Sequence, residues 1–206
     1  GSPRRFMLSA GRRMNDLRIE VPTLHSGQLE AWNVRSRFTA VRCGRRWGKT
    51  QMAVAIAGKK AVQGEYWGIF APDYKIMSET YRDLELALEP VTQHSNKNDG
   101  LIRLKTGGRI DFWTLNNHNA GRSRKYHGVI VDEGAHADDQ MADTWAKSIE
   151  PTLLDYRGEA WALSTPAGAN QDNWFWQICN DKAQGWTEYH APSSTNPYLP
   201  AAEFER

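Results

Sequence analysis

Residues 43–50 read Cys43-Gly44-Arg45-Arg46-Trp47-Gly48-Lys49-Thr50 and lie between two apolar segments. Residues 38–41 predict a short buried strand before this stretch, and residues 50–62 predict a helix after it. The stretch matches the phosphate-binding pattern of Gly, four residues, Gly-Lys-Ser/Thr at its last three positions, while Cys43 takes the place of the first glycine. A strand, a glycine turn and a helix are the context that such a loop requires, so the sequence predicts a phosphate-binding loop here.

The residue types in this loop suit a nucleoside triphosphate with magnesium. Backbone N–H groups at the start of a helix lack internal partners and can surround phosphate oxygens, so we expect residues 44–50 to bind the nucleotide. Lys49 is expected to bridge the β- and γ-phosphates, and the Thr50 hydroxyl to bind Mg²⁺. Arg45 and Arg46 place two further cations beside the phosphates. The alternative is a basic turn that starts a core helix.

Segments typical of strands and helices alternate along the rest of the chain. Strands are predicted for the apolar runs at residues 67–71, 128–131 and 160–164. Helices are predicted for residues 74–88, 140–149 and 173–183. Residues 101–104 and 109–115 flank Thr106-Gly107-Gly108 and predict a β-hairpin. The alternation favours an α/β fold with a mainly parallel sheet flanked by helices, plus an antiparallel hairpin.

One of the predicted strands ends in two adjacent carboxylates, Asp132 and Glu133. In a parallel sheet the carboxyl ends of the strands line the ligand crevice, so we expect both side chains near the phosphate loop. Asp132 would hold the magnesium, and Glu133 would polarise a water for in-line attack on the γ-phosphate. The alternative is a strand capped by a solvated acidic turn.

Two further sites carry polar side chains of interest. Ser164 and Thr165 follow the strand at residues 160–164, where their hydroxyls would sense the γ-phosphate; a plain strand-to-turn transition is the alternative. Gln28 lies in a helix for which Ser26 is a candidate N-cap. The Gln28 amide offers the donor and the acceptor that an adenine edge requires. From the residues alone, a surface glutamine is the simpler interpretation.

The chain has 206 residues, of which 40% are hydrophobic and 24% charged, with a net charge of +2. This composition is ordinary for a globular domain and argues against disorder, a coiled coil or a membrane span. Cys43 and Cys179 form neither a disulfide framework nor a zinc site, so a reducing cytosolic compartment is expected. Residues 1–18 hold five arginines and one aspartate. We expect residues 1–20 to be a basic, flexible segment that is not a signal peptide.

Together these motifs resemble the ATPase domain of the large terminase subunit of tailed bacteriophages, over about residues 22–200. The resemblance is carried by Gln28, the loop 43–50 as a deviant Walker A motif, Phe70-Ala71-Pro72-Asp73-Tyr74, residues 129–133 as the Walker B motif, and Ser164-Thr165-Pro166 as the coupling motif. It implies a P-loop NTPase domain of the RecA/ASCE type at residues 21–200. It also implies a motor that hydrolyses ATP with Mg²⁺ and drives double-stranded DNA into a procapsid.

The resemblance further implies the partners of such a motor. These are double-stranded DNA, the portal protein, the small terminase subunit and further copies of the chain in a ring with ATP at the interfaces, in the host cell cytoplasm. We expect the isolated domain to be monomeric and to contact no membrane. Full-length large terminases carry a C-terminal nuclease domain, so residues 201–206 are expected to start the linker to it, and no nuclease activity is expected here.

By the family pattern, Arg45 and Arg122 join Lys49 and Glu133 as catalytic residues. Arg122 lies ten residues before the Walker B aspartate and would serve as an arginine finger for a neighbouring subunit. Arg124 competes for that role. A solvated basic loop is the alternative.

Two other functions stay open at the level of sequence. Residues 132–136 read Asp-Glu-Gly-Ala-His, similar to the DEAH box of helicases, although 206 residues leave no room for a second RecA-like domain. A non-catalytic nucleotide- or DNA-binding module is the other alternative, against which the intact Lys49 and Glu133 argue. On the predicted hairpin, Arg103, Lys105 and Arg109 either contact DNA phosphates or protect a sheet edge from pairing.

Overall fold

The computed structural model describes residues 5–9 and 18–200, in which ten strands and five α-helices occur. The strands are β1 (Arg5–Ser9), β2 (Arg18–Pro22), β3 (Phe38–Cys43), β4 (Tyr66–Ala71), β5 (Thr92–Asn96), β6 (Leu101–Leu104), β7 (Arg109–Thr114), β8 (Gly128–Asp132), β9 (Glu159–Ser164) and β10 (Thr187–Ala191). The helices are α1 (Ser26–Asn33), α2 (Lys49–Val62), α3 (Tyr74–Leu88), α4 (Met141–Thr144) and α5 (Trp174–Asn180). The predicted α/β class is confirmed.

Eight of the described strands form one sheet in the order β10-β3-β9-β8-β4-β7-β6-β5. Neighbours from β10 to β7 are parallel, whereas β6 and β5 run antiparallel to their neighbours. The predicted hairpin is β6–β7, in which Leu101 lies opposite Asp111. Its second strand also pairs in parallel with β4. The prediction of a mainly parallel sheet with an antiparallel hairpin is therefore confirmed.

Apolar side chains cover both faces of this sheet. On one face α2 and α3 turn their buried sides inward, with Ile56 and Leu84 in the core. On the other face Trp145 and Trp174, from the helical segments after β8 and β9, pack in one cluster with Phe70. Cover on both faces explains why β4, β8 and β9 are almost continuously apolar and buried.

Three of the strands that carry sequence motifs are neighbours. β9 lies between β3 and β8, and all three run in the same direction. Arg42 lies opposite Ser164, and Asp132 lies opposite Leu163, so the three strands end nearly level. The phosphate loop after β3, the acidic pair at the end of β8 and the coupling motif at the end of β9 therefore meet at one edge of the sheet.

Several local predictions were incomplete. The sequence analysis missed β5 and β10 because both are edge strands rich in polar residues. Residues 140–149 form α4 followed by a π-helical turn, Trp145–Ile149, in place of one regular helix. α5 ends at Asn180, and Lys182–Gln184 forms a separate 3₁₀ turn, so the helix predicted for residues 173–183 is shorter than expected.

The amino-terminal strands correct part of the segment that was expected to be flexible. β1 pairs antiparallel with β2, so residues 5–9 and 18–20 belong to a two-stranded ribbon. Ile19 and Val21 of β2 are buried in the core to which α2 and α3 contribute. Residues 1–4 and 10–17 of that segment, and the expected linker at residues 201–206, lie outside the described residues. In the part of the chain that the structure describes, no helix has both the length and the hydrophobicity to cross a bilayer.

Candidate nucleotide-binding site

The phosphate loop takes a left-handed backbone conformation at two positions. The φ angle is 62° at Arg46 and 102° at Gly48. A Cβ at Gly48 would also lie 2.7 Å from the amide nitrogen of Gln28, so this position needs a glycine for both its backbone and its space. α2 begins at the next residue, Lys49. The first N–H groups of a helix have no intrahelical partner, which makes them available to an anion.

Cys43 is a core residue at the end of β3, although it stands at the first glycine position of the motif. Its side chain is buried, and its Sγ donates to the carbonyl of Ser164 at 3.8 Å. Burial raises the pKa of the Cys43 thiol to about 12, so the thiol stays neutral. The close approach that requires a glycine occurs one residue later, since a Cβ at Gly44 would overlap the side chain of Ser193. The departure from the strict motif thus leaves the loop intact.

The ammonium group of Lys49 connects the three motifs. Its Nζ donates to Thr165 Oγ1 at 2.8 Å and lies 3.2 Å from Glu133 Oε1. Only 10% of the lysine side chain is exposed, so solvent screens this pair weakly. The proximity expected from the strand ends is confirmed, while the chemical roles of these residues stay predictions.

Glu133 lies just beyond β8 in a left-handed conformation, with φ of 53°. Such a conformation is unfavourable for a residue other than glycine and is frequent at functional sites. Its Oε2 accepts hydrogen bonds from Ser164 Oγ and Thr165 N, each at 3.2 Å. His136 Nε2 lies 3.8 Å from the same oxygen. Both carboxylate oxygens therefore face groups that the sequence assigns to the γ-phosphate end of the site.

Asp132 is buried with an incomplete set of partners. It is 2% exposed, and its Oδ1 has no hydrogen-bond partner among the described residues. Burial, reinforced by the charge of Glu133 and opposed by Lys49, raises the pKa of Asp132 to about 7. A buried carboxylate oxygen that lacks a partner is unfavourable by itself and suits a divalent cation. Asp132 therefore fits the predicted magnesium ligand, and Thr50, in the first turn of α2, offers a hydroxyl.

Thr80 of α3 belongs to this site, although the sequence analysis missed it. Its side chain is 1% exposed and lies beside Asp132, where it lowers the pKa of that carboxyl group against the larger effect of burial. Thr80 lies three residues after Met77 and four before Leu84, so it shares the buried face of the helix with them. A polar residue on the apolar face of an amphipathic helix is the pattern that would have identified it.

Gln28 contacts the phosphate loop and is buried, so it is not the surface glutamine that the residues alone favoured, while its contact with adenine stays a prediction. Its buried amide accepts from His25 N through Oε1 and donates to the carbonyl of Gly48 through Nε2, both at 2.9 Å. Since both ends of the amide are engaged with backbone groups, Gln28 holds the phosphate loop. The N-cap of α1 is His25 rather than Ser26, because His25 Nδ1 accepts from Gln28 N at 3.4 Å.

The side chain of Trp47 contacts residues outside the phosphate loop. Its side chain is fully buried, with Nε1 donating to Thr195 Oγ1 at 2.8 Å. The indole meets the ring of His25 edge-on at a centroid distance of 5.1 Å. Only the backbone of Trp47 is therefore placed to take part in phosphate binding.

The predicted catalytic arginines remain on the surface. Arg45 and Arg46 are exposed on the phosphate loop itself. Arg122 hydrogen-bonds within its own loop at 2.9 Å, and Arg124 lies 3.7 Å from the carboxylate of Asp111 in β7. Within the described residues, neither Arg122 nor Arg124 contacts the cluster of phosphate-loop lysine and strand-end carboxylates. The structure thus brings together the phosphate loop, Gln28, the acidic pair and the coupling motif, and it leaves these two arginines apart from them.

Comparison with known proteins finds a relative among the large terminase subunits of bacteriophages. No protein-family model matches the chain. The large terminase subunit of Escherichia phage T5 is 25% identical over 171 residues, which make up 79% of this chain and 38% of that protein. The chain therefore spans well under half the length of this curated relative.

Solved structures of large terminases share the fold. The ATPase domain of the Thermus phage P74-26 large terminase superposes with a TM-score of 0.66 at 22% identity, covering 89% of this chain and 91% of that domain. The large terminase of another thermophilic bacteriophage, in complex with ADP, has a TM-score of 0.66 at 16% identity, covering 86% of this chain and 47% of that protein. For the HK97 large terminase the TM-score is 0.63 at 13% identity, with 80% of this chain and 38% of that protein covered. The chain is thus similar to phage large terminases in sequence and has the fold of their ATPase domains, as the sequence motifs had suggested.

Proposed function

We propose that this chain is the ATP-hydrolysing motor domain of a viral large terminase subunit, which drives double-stranded DNA into a procapsid. The observation that carries the proposal is the contact of Lys49 with both Glu133 and Thr165, which joins three motifs at the carboxyl edge of the sheet. The similarity to terminases in sequence and fold supports the same conclusion. A helicase fragment is less well supported, because the similarity to a terminase ATPase domain extends over 89% of this chain.

The nucleotide in this proposal is ATP with Mg²⁺. The loop N–H groups and Lys49 hold the phosphates, while Thr50 and Asp132 hold the cation. When bound, Mg²⁺ neutralises charge on the β- and γ-phosphate oxygens. The unpartnered Oδ1 of Asp132 supports this assignment, since a cation would satisfy it.

The contacts of Glu133 suggest how hydrolysis is prepared. Phosphates that enter the loop compete with the Glu133 carboxylate for the ammonium of Lys49, because both are anions within its reach. Once released from Lys49, Glu133 is able to accept a proton from an attacking water. Ser164 and Thr165 bond to the same carboxylate, so they change partners when the γ-phosphate arrives or leaves. That exchange is the coupling step.

The surface arginines fit a site that is completed by another subunit. Arg122 and Arg124 lie apart from the nucleotide site of their own chain, and either is able to stabilise the γ-phosphate of a neighbour in a ring. Arg45, exposed on the loop, is the candidate that acts within one chain. The ring, the portal protein, the small terminase subunit, double-stranded DNA and a host-cytoplasmic location all belong to this proposal.

Phosphate release from ATP tests the proposal directly. We expect the wild-type chain to hydrolyse ATP with Mg²⁺, slowly when dilute. Glu133→Gln should bind ATP at least as well as the wild type yet lose hydrolysis, because the amide keeps the shape of the side chain but cannot act as a base. Lys49→Ala should weaken binding itself.

Two outcomes would reject parts of the proposal. Binding of Mg-ATP by the wild type without hydrolysis, with and without DNA and at every protein concentration, would favour the non-catalytic binding module. Hydrolysis by Glu133→Gln at the wild-type rate would remove Glu133 from the mechanism. Isothermal titration with a non-hydrolysable ATP analogue separates binding from turnover in each variant.

A further inference from the structure

Four successive carbonyl groups of the phosphate loop each contact a side chain from outside the loop. Two of these side chains precede β3, and the other two follow β10. The four hydrogen bonds are Ser193 Oγ to Arg45 O at 2.8 Å, Asn196 Nδ2 to Arg46 O at 2.8 Å, His25 Nε2 to Trp47 O at 2.9 Å, and Gln28 Nε2 to Gly48 O at 2.9 Å. His25 donates from Nε2, since its Nδ1 accepts from a backbone N–H. Side chains from two separate segments, one before β3 and one after β10, therefore hold the loop.

These bonds fix the direction of the N–H groups as well. A trans peptide is planar, so its N–H points away from its carbonyl. Carbonyls of residues 45–48 that are held in place therefore fix the directions of the N–H groups of residues 46–49, of which that of Trp47 donates to Gly44 O at 3.4 Å. The remaining N–H groups, at the start of α2, are available to an anion. The left-handed conformation at Arg46 is part of this arrangement and is unfavourable for an arginine in the absence of such support.

The residues after β10 are arranged to make these contacts, and we refer to residues 193–196 as the clasp. Ser193–Thr195 forms a 3₁₀ turn. Thr195 Oγ1 accepts from Trp47 Nε1 at 2.8 Å, which adds a bond to the loop side chain. Asn196 is 8% exposed, and its Oδ1 accepts from Tyr198 N at 2.9 Å. This bond leaves the Nδ2 of Asn196 for the loop carbonyl, so the amide orientation is fixed.

We propose that Ser193, Thr195 and Asn196 are positioning residues for nucleotide binding. They hold the phosphate loop in the conformation that receives the phosphates, so nucleotide affinity depends on a segment about 150 residues further along the chain. The inference rests on the proposed function, because it takes residues 43–50 as the triphosphate site. By thermodynamic reciprocity, a bound phosphate group stabilises the clasp to the same extent.

The test compares nucleotide affinity in clasp variants of the whole chain. Ser193→Ala/Asn196→Ala should bind Mg-ADP about 10- to 100-fold more weakly than the wild type, because two hydrogen bonds that orient the loop are lost. Inorganic tripolyphosphate should lose affinity by a similar factor, since the defect lies in phosphate binding. Amide hydrogen exchange at residues 46–49 should become faster in the variant without nucleotide. Ser194→Ala, an exposed position in the same turn, is the matched control and should bind as the wild type does.

The outcomes separate this inference from the proposed function. If the wild type binds neither Mg-ADP nor tripolyphosphate, the proposed function fails. If the wild type binds both and the double variant binds them equally well, with unchanged exchange at residues 46–49, the clasp has no positioning role. Should the double variant not fold, Thr195→Val decides the question, because it keeps the side-chain shape and removes the acceptor for Trp47, together with the bond that the hydroxyl donates to Pro192 O at 2.7 Å. A loss of about threefold or more in Mg-ADP affinity supports the clasp, and unchanged affinity rejects it.

Discussion

The phosphate loop and the acidic end of β8 both line the candidate site, but they differ in how completely their polar groups are hydrogen-bonded. Each carbonyl from residue 45 to residue 48 accepts a hydrogen bond from a side chain elsewhere in the protein. Asp132, by contrast, is buried with one carboxylate oxygen unpartnered among the described residues. The loop is therefore arranged before a ligand arrives, whereas the acidic end is completed only by a ligand.

The difference indicates that the phosphate loop sets the shape of the site, whereas the acidic end of β8 changes when a ligand binds. A preorganised loop binds phosphate without the entropy loss of ordering itself. An unpartnered buried carboxylate is unfavourable until a cation binds, so it makes the empty site less stable than the filled one. Variants in each region test this division.

The largest effect concerns an arginine that lies in neither the phosphate loop nor the acidic end of β8. If Arg122 acts on a neighbouring subunit, Arg122→Ala should lower the rate of hydrolysis by about 10³ to 10⁵ in assembled protein. A mixture of Glu133→Ala and Arg122→Ala should recover part of the activity, because some interfaces pair an intact base with an intact arginine. Phosphate release at increasing protein concentration measures this. Arg124→Ala is the matched comparison, and fast turnover that neither arginine variant affects would show that the site is complete in one chain.

The next effect is the pH dependence of stability at the acidic end. The pKa of Asp132 is about 7 in the folded chain and 3.8 as an ordinary carboxyl group. The unfolded chain therefore releases this proton first, and the free energy of unfolding falls as pH rises from about 4 to 7, by up to about 1.4 kcal/mol per pH unit. Asp132→Asn lacks this titration and should gain stability relative to the wild type over that range.

Urea denaturation without Mg²⁺, at pH values across that range, measures the difference for Asp132→Asn. Gln28→Ala supplies the contrast, because a loop contact without a titrating group should change stability by the same amount at every pH. Parallel profiles for the wild type and Asp132→Asn would show that burial does not disfavour the carboxylate charge.

A third, smaller effect tests how closely the Gln28 amide packs against Gly48 of the loop. Gly48 and Gly107 have similar left-handed φ angles, 102° and 92°, but a Cβ at Gly48 meets the Gln28 amide while one at Gly107 meets no atom within 4 Å. Both alanine variants should lose about 1–2 kcal/mol of stability from backbone strain. Gly48→Ala should lose more and should also weaken Mg-ADP binding. Thermal melting and titration with Mg-ADP compare the two variants. Equal losses of stability with unchanged Mg-ADP binding would contradict the close packing at Gly48.

The smallest effect concerns the cations of the β6–β7 hairpin, which β5 separates from the far edge of the sheet. Arg109 bonds to Asp111 at 2.7 Å, and Lys105 donates to Pro90 O at 3.2 Å, so two of the three side chains already have partners within the protein. The triple variant Arg103→Ala/Lys105→Ala/Arg109→Ala should change DNA affinity little and lower its salt dependence by about one phosphate contact. Fluorescence anisotropy with duplex DNA at several salt concentrations measures both. A loss of about three contacts would make this hairpin a principal DNA surface.

The sequence predicted the parts of the site that depend on short patterns. Lys49 follows a strand and a glycine turn, and Glu133 ends an apolar run, so their shared edge followed from parallel strand order alone. The contacts of the clasp could not be predicted from a short pattern, because Ser193 and Asn196 bond to the loop from about 150 residues away, in a segment of ordinary turn residues. Thr80 was missed because its role depends on which face of α3 is buried.

Gln28 and Cys43 show a second reason for incomplete prediction. An amide group suits an adenine edge and a pair of backbone groups equally well, and the bonds of Gln28 to His25 and Gly48 depend on how α1 packs against the loop. At Cys43 the motif pattern placed the glycine requirement one residue too early, because the requirement is set by the approach of Ser193 to Gly44. Tertiary contacts of this kind cannot be read from local sequence.

The burial of the Cys43 thiol has a practical consequence for labelling experiments. Burial raises the pKa of Cys43 and that of the partly buried Cys179 each to about 12, and these are the two cysteines of the chain. An exposed cysteine ionises near pH 8.5, so at neutral pH an introduced one holds roughly 10³-fold more thiolate than either native thiol. A fluorophore attached through Arg122→Cys would therefore report on the arginine loop with little background, and neither native cysteine needs to be replaced.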